Sequence, residues 1–234
     1  LSDRQVVARR ARAELKDGQV VNFGFGIPDA VAALVAGDVR AGRYTQTIEH
    51  GIYGGELLTG HVFGFSRNAH AMIDAPTQFD FYSGGGLDIA FLGFGQIDAA
   101  GNVNASKLGG MAVGPGGFID IAQNARKVVF CGTFDAKGTE LAIGEGRLSI
   151  VKPGAIRKLV EKVDQITFSG AEALKQGQEV VYVTERATFR LTAAGIELIE
   201  IAPGVELQRD ILDQMGFVPK ITENLRTMPE ACFR

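Results

Sequence analysis

Two apolar runs of strand length decide most of what this chain can become. Asp88–Gly95 reads Asp-Ile-Ala-Phe-Leu-Gly-Phe-Gly, and Lys127–Cys131 reads Lys-Val-Val-Phe-Cys. A strand that shows one face to water alternates apolar and polar residues. A run without alternation is expected of a strand buried on both faces, in a sheet covered on both sides. Gln19–Phe23 and Tyr44–Ile48 read as further strands, and Pro28–Val35 reads as a helix with proline in its first turn. Ser2 or Asp3 caps a first helix running to about Lys16, with Val6, Val7, Ala11 and Leu15 facing inward and Gly18 ending it. Asp98–Asn102 is a turn leading to a short returning strand at Val103–Ala105, and Phe118–Asn124 is a short helix. Beyond Gly132 the texture becomes more β-rich. Leu148–Val151, Gln165–Phe168, Glu179–Val183, Thr188–Thr192 and Ile196–Glu200 read as strands, and Leu207–Met215 as a closing helix. Strand–helix alternation with glycine at strand ends predicts an α/β fold: an open, mostly parallel sheet flanked by helices, with residues 1–234 as one domain.

Composition narrows the function classes. The 234 residues are 46% hydrophobic and 22% charged, the balance of an ordinary globular chain. No apolar run is long enough for a membrane-spanning helix. With 24 Lys+Arg against 27 Asp+Glu, the net charge of −3 argues against a general nucleic-acid binder. Two cysteines, Cys131 and Cys232, make neither a disulfide framework nor a zinc site, so the expected setting is reduced and cytoplasmic. Leu1 in place of Met reads as a processed or trimmed chain, or as one piece of a longer protein.

Glycine is in excess, 31 of 234 residues, and it gathers where strands end. Gly24-Phe25-Gly26-Ile27-Pro28 lies between the strand ending at Phe23 and the following helix. Backbone amides at such a turn make an anion or oxyanion site, or simply a tight turn. Gly109-Gly110-Met111-Ala112-Val113-Gly114-Pro115-Gly116-Gly117 runs into the helix at Phe118 and again leaves peptide N–H groups uncovered. Between these loops in sequence stands Glu49, at the end of the β-branched run Thr45–Ile48, with Gly51 leaving its flank open. Ligands in open α/β sheets collect outside the carboxyl ends of strands. A carboxylate there needs no activating base, and it can act as nucleophile, general base or ribose anchor. One carboxylate among amide donors is the layout of covalent acyl chemistry.

Other chemistries find no support. Gly64-Phe65-Ser66-Arg67-Asn68 fails the serine-hydrolase elbow at its last place. His50, His61 and His70 have no metal-ligand spacing, and no Walker lysine follows a glycine loop. The rival is a nicotinamide-binding half-domain: Gly24-x-Gly26 opens like a dinucleotide fingerprint, and Glu49, 23 residues beyond Gly26, falls where a ribose-binding acid belongs. That reading leaves the Gly51 turn and the Gly114–Gly117 loop without a role, and the segment Gly37–Arg43 separates helix from strand less compactly than usual.

The motifs resemble the family I CoA-transferases over nearly the whole chain, and most nearly the propionate/acetate subgroup, whose chains fuse an α half to a β half. The resemblance rests on Val20-Val21-Asn22-Phe23-Gly24-Phe25-Gly26-Ile27-Pro28, Glu49-His50-Gly51, Gln78-Phe79-Asp80-Phe81-Tyr82-Ser83-Gly84-Gly85-Gly86-Leu87-Asp88 and Gly114-Pro115-Gly116-Gly117-Phe118-Ile119-Asp120-Ile121. These look like the β half, the C-terminal part of such an enzyme. Many relatives have Ser-Glu-Asn-Gly where this chain has Ile48-Glu49-His50-Gly51. The resemblance implies the sheet shared with some sugar-phosphate isomerases. It implies ping-pong exchange of CoA between a short-chain acyl-CoA and a carboxylic acid, with Glu49 passing through an acyl anhydride and a glutamyl–CoA thioester. Gly24, Phe25, Gly26, Gly51, Gly116 and Gly117 would form the oxyanion and CoA-binding turns, and Lys137 matches a position that touches CoA in some relatives. Phe25, Ile27, Phe79 and Phe81 would supply dry walls. No cofactor or metal is implied, coenzyme A being a substrate. An α half is expected to complete the cleft, within an oligomer. An acyl-CoA hydrolase on the same scaffold, or a non-catalytic ligand-sensing subunit, are the other functions such a chain could serve.

Overall fold

A computed structural model of the chain describes residues 1–40 and 42–234; Ala41, within the Gly37–Arg43 segment, lies outside them. The main sheet has ten strands: β1 (Val20–Phe23), β2 (Thr45–Ile48), β3 (Ile52–Tyr53), β4 (Ala71–Met72), β5 (Ile89–Gly93), β6 (Lys127–Cys131), β7 (Glu179–Val183), β8 (Ala187–Thr192), β9 (Gly195–Ile201) and β10 (Lys220–Thr227). Their order across the sheet is β10-β9-β8-β7-β6-β5-β1-β2-β3-β4. The centre, β7-β6-β5-β1-β2, is wholly parallel. Antiparallel pairings flank it on both sides, at β2-β3-β4 and β7-β8-β9.

Strands β5, β6 and β7 are apolar along nearly all their length because each feeds two cores. Ala90, Leu92, Val128, Phe130, Val180 and Tyr182 face one core. Their neighbours Ile89, Phe91, Val129, Cys131, Val181 and Val183 face the other. Successive strand side chains point to opposite faces, so both sets must be apolar. Helices α1 (Asp3–Arg12) and α2 (Ile27–Arg40) cover the second core, with Val7, Ala8, Ala11, Val31, Ala32 and Val35 buried. Helices α3 (Ala75–Ser83) and α4 (Phe118–Asn124) cover the first through Tyr82, Ile121 and Ala122. A short α5 (Gly170–Lys175) follows. α1 starts on a capping box between Ser2 and Gln5. It ends at Arg12, short of the expected Lys16, while α2 runs on past Val35.

The expected strand at Gln165–Phe168 reduces to a single bridge between Phe168 and Val103. Leu148–Val151 lies within Arg147–Lys152, whose hairpin partner Glu140–Gly144 is additional. The turn between them, Glu145-Gly146, has φ of +53° and +80°, the left-handed geometry that matches the twist of a hairpin. The closing helix at Leu207–Met215 is instead one π turn, Leu207–Ile211, and one 3-10 turn, Leu212–Gln214. The chain then adds β10 at the sheet edge, parallel to β9.

Chain order reverses at β1. The path leaves β1 through α2 to β2 on one side, then crosses back to lay β5 on the other. The carboxyl ends of β1 and β5 therefore part and leave a crevice, the place where open α/β sheets take ligands.

Candidate active site

A cavity of about 470 Å³ occupies that crevice. Gly24 and Phe25 reach it from the end of β1, Glu49 from the end of β2, Leu92 to Gly95 from the end of β5, Pro115 to Gly117 from the loop before α4, and Phe118 from the start of α4. Of the residues singled out in the sequence, Glu49, Gly24, Phe25, Gly116 and Gly117 line one space.

Glu49 stands in the turn of the β2–β3 hairpin, where Ile48 pairs with Ile52 and the Gly51 amide donates to the Ile48 carbonyl at 2.9 Å. Gly51 does not line the cavity; it makes the turn possible. Its φ is +103°, and a Cβ added there would sit 1.9 Å from the Ile73 carbonyl oxygen, with which the hairpin packs. The Ile73 amide donates to the Gly51 carbonyl at 2.8 Å.

The half-buried Glu49 carboxylate accepts a hydrogen bond from Asn22 Nδ2 at 3.2 Å. Asn22 is fully buried in β1, and the same amide nitrogen lies 3.4 Å from both the Thr47 carbonyl and the Tyr82 hydroxyl. Tyr82, also fully buried, donates to Thr47 Oγ1 at 3.0 Å, and Thr47 donates to the Val21 carbonyl at 3.1 Å. Burial pushes the Tyr82 phenol up to about 12, and the Glu49 charge adds to the shift. The hydroxyl therefore stays protonated and serves as a fixed dipole in the chain Tyr82–Asn22–Glu49. Sequence reasoning gave neither Asn22 nor Tyr82 a role. The signal for Asn22 was present: one amide in the otherwise apolar Val20-Val21-Asn22-Phe23.

Across the cavity, among the described residues, the backbone amides of Phe25, Gly116 and Gly117 donate to no protein acceptor. Unpaired N–H groups of residues that line a cavity are candidates to meet a ligand oxygen. Gly116 adopts φ +54°. A Cβ on Gly117 would meet the Phe79 ring at 2.9 Å, so glycine lets that ring close under the loop. Gly24 lies flat on β5, its amide bonded to the Phe91 carbonyl at 2.8 Å.

The remaining expected residues lie elsewhere. Gly26 turns the chain into α2 with φ +94° and gives its carbonyl to Arg4. Lys137 is exposed, holds a left-handed φ of +65°, and does not line the cavity. Of the four expected walls, Phe25 alone lines it. Ile27, the first residue of α2, packs against the second core, Phe79 sits beneath Gly117, and Phe81 packs against Tyr53 and Tyr82. The apolar walls are Leu92, Phe94, Leu108, Phe118 and Ile121.

No protein-family model matches the chain. It is 48% identical over its whole length to a caffeate CoA-transferase of Acetobacterium woodii, of which it covers 45%. It is 28% identical, over 87% of its length and 88% of the relative's, to the β subunit of an acetate CoA-transferase of Escherichia coli strain K12. The crystal structure of the acyl-CoA transferase YdiF of Escherichia coli O157:H7 matches the whole chain at TM-score 0.93 and 43% identity, and the chain covers 44% of it. A thioester complex of that enzyme with CoA matches at 0.92. The chain thus spans less than half the length of the caffeate CoA-transferase and of YdiF, and most of the length of the separate β subunit.

Proposed function

We propose that this chain, which matches part of a caffeate CoA-transferase and of the acyl-CoA transferase YdiF over its whole length and a separate β subunit over 87% of it, is the nucleophile-bearing half of an enzyme that moves CoA between a short-chain acyl-CoA and a carboxylic acid. The single observation that carries the reading is that Glu49 lines one cavity with Phe25, Gly116 and Gly117, whose backbone amides donate to no protein acceptor among the described residues.

The chemistry follows from that pairing. The Glu49 carboxylate attacks the thioester carbonyl, the carbonyl oxygen takes up the negative charge, and CoA thiolate leaves behind an acyl–glutamyl anhydride. The thiolate then attacks the glutamyl carbonyl and expels the first acid as its carboxylate, leaving a glutamyl–CoA thioester. The incoming carboxylate attacks that thioester, and thiolate is expelled once more. The thiolate returns to the new acyl carbonyl, giving the product acyl-CoA and free Glu49. Every step passes through a tetrahedral oxyanion, and amides already in place stabilise it without reorganising. Asn22 donates to Glu49 before reaction and can follow its oxygen when the glutamyl carbonyl becomes the electrophile. The apolar walls limit water, which would hydrolyse the anhydride.

Phe25 is 71% exposed. We assign a partner half, within the same polypeptide or on a separate chain, to cover this open side, as expected of a cleft built from two halves. The test is an assay of the intact protein with acyl-CoA, with and without an acceptor acid. A transferase makes the second acyl-CoA only when acid is added, and Glu49→Gln loses at least 1,000-fold in rate. Free CoA released at the same rate without acid would mark a hydrolase, and full activity in Glu49→Gln would reject the nucleophile.

A further inference from the structure

A second cavity, of about 250 Å³, adjoins the first, and Gly95 and Leu108 line both. Its polar groups are Lys107, Lys158, Gln96 and Asp164. Asp164 shares the cavity with the lysines, and its Oδ2 accepts from Gln96 Nε2 at 3.0 Å. Among the described residues, neither lysine ammonium makes an ion pair or a hydrogen bond. Lys158 lies over the Phe94 ring, 4.1 Å from its centroid, and Phe94 is a wall of the Glu49 cavity.

The two acids whose charges act most on Lys158, Glu185 and Asp135, are paired elsewhere. Asp135 is held by Arg186 Nη2 at 2.6 Å and by the Thr139 hydroxyl at 2.5 Å. Glu185 accepts from the Phe134 amide at 2.9 Å and meets Arg186 Nε at 3.2 Å. Burial pushes the Lys158 amine down to about 8, with Glu185 and Asp135 pulling it partly back. An ammonium drawn away from water without a partner costs stability. One held behind Phe94, a wall of the Glu49 cavity, has its natural partner in an anion that arrives with the substrate.

We propose that this second lobe is an anion subsite, with Lys158 as its principal cation and Lys107 at its rim, and that it binds an anionic oxygen group remote from the reacting carbonyl. The inference rests on the transferase reading and adds to it a determinant of substrate choice. Two parts of the reactants could supply the anion: a phosphate of the CoA arm, or a second carboxylate at the far end of the acid. The cation–π contact leaves the ammonium polarised but not neutralised, so a charge-assisted contact to either group remains open to it.

Lys158→Met in the intact protein separates the sources. If the anion is a phosphate, calorimetric titration shows CoA binding weakened tenfold or more, while binding of S-acetylpantetheine, which lacks phosphate, is unchanged. If it is a carboxylate, CoA binding is unchanged and the kcat/KM ratio of succinate to butyrate falls tenfold or more. Lys158→Arg keeps the charge and restores most of either loss. Should Lys158→Met fail to fold, Lys107→Met at the rim gives the same selective loss at about threefold. Unchanged CoA affinity together with unchanged acid preference overturns the proposal. So does an equal loss for CoA and S-acetylpantetheine, the signature of a shifted Phe94 wall. Glu49→Gln titrated in parallel keeps the two claims apart: if it stays fully active while the Lys158 effect persists, the nucleophile falls and the anion subsite stands.

Discussion

Asn22 is the residue whose role the geometry adds to the account. A fully buried amide in a strand costs free energy unless its hydrogen bonds are made. Its Nδ2 is shared among Thr47, Tyr82 and Glu49, and its Oδ1 finds no partner among the described residues. Such an arrangement fixes the Glu49 rotamer at a cost carried by β1. Asn22→Ala removes the donor and leaves Tyr82 in place. We expect kcat/KM to fall about tenfold or more, equivalent to roughly 1.4 kcal/mol of transition-state stabilisation, with near-native secondary structure by circular dichroism. Unchanged kcat/KM would show that Glu49 needs no orienting partner. Glu49 itself was legible because a carboxylate ending a β-branched run and followed by Gly51 is a pattern of neighbours in sequence. Asn22 was less so, because its role depends on Thr47 and Tyr82, which are far from it in the chain and meet it only once the sheet has formed. Lys137 shows the reverse: a spacing singled it out, and the fold leaves it exposed, away from the cavity.

At the scale of elements, the hairpin carrying Glu49 depends on Gly51 more than on any side chain. A residue with a Cβ there must adopt a φ that L side chains rarely take, and it must also displace the Ile73 backbone. Gly51→Ala should therefore destabilise the protein by about 3 kcal/mol or more, read as a lowered denaturant midpoint at unchanged slope. A midpoint equal to wild type would mean that the turn relaxes freely. The buried elements were the most legible. Lys127–Cys131 and Glu179–Val183 have the boundaries their residues predict, because burial on both faces leaves only apolar residues after a polar start, and the short helix Phe118–Asn124 has its predicted boundaries as well. The C-terminal elements were not. Leu207–Met215 has a helical apolar spacing, yet two short tight turns take its place. β10 reads Lys-Ile-Thr-Glu-Asn-Leu-Arg-Thr, and an edge strand exposed along most of its length has no core to impose alternation.

Over the whole molecule, charges buried beside the cleft tie stability to pH. Burial pushes the Glu185 carboxyl up to about 7, against the partial pull of Arg186 and the Phe134 amide. The folded state therefore holds this proton more tightly than the unfolded chain does. The stability that Glu185 contributes is complete below its unfolded value of 4.5 and is lost as pH rises through about 7. Glu185→Gln removes that dependence. Between pH 4.5 and 7 the melting temperature of the wild type should fall relative to that of Glu185→Gln, and parallel curves would contradict the assignment. The sheet places this cluster, the second lobe and the Glu49 cavity along the carboxyl ends of neighbouring strands, so one architecture serves both folding and chemistry. The most direct measurement is the mass of the peptide containing residue 49 after the intact protein is mixed with acyl-CoA and quenched with borohydride. The account predicts that Glu49 is reduced to the corresponding alcohol, a loss of about 14 Da. An unmodified Glu49 peptide in a protein that still transfers CoA would contradict it.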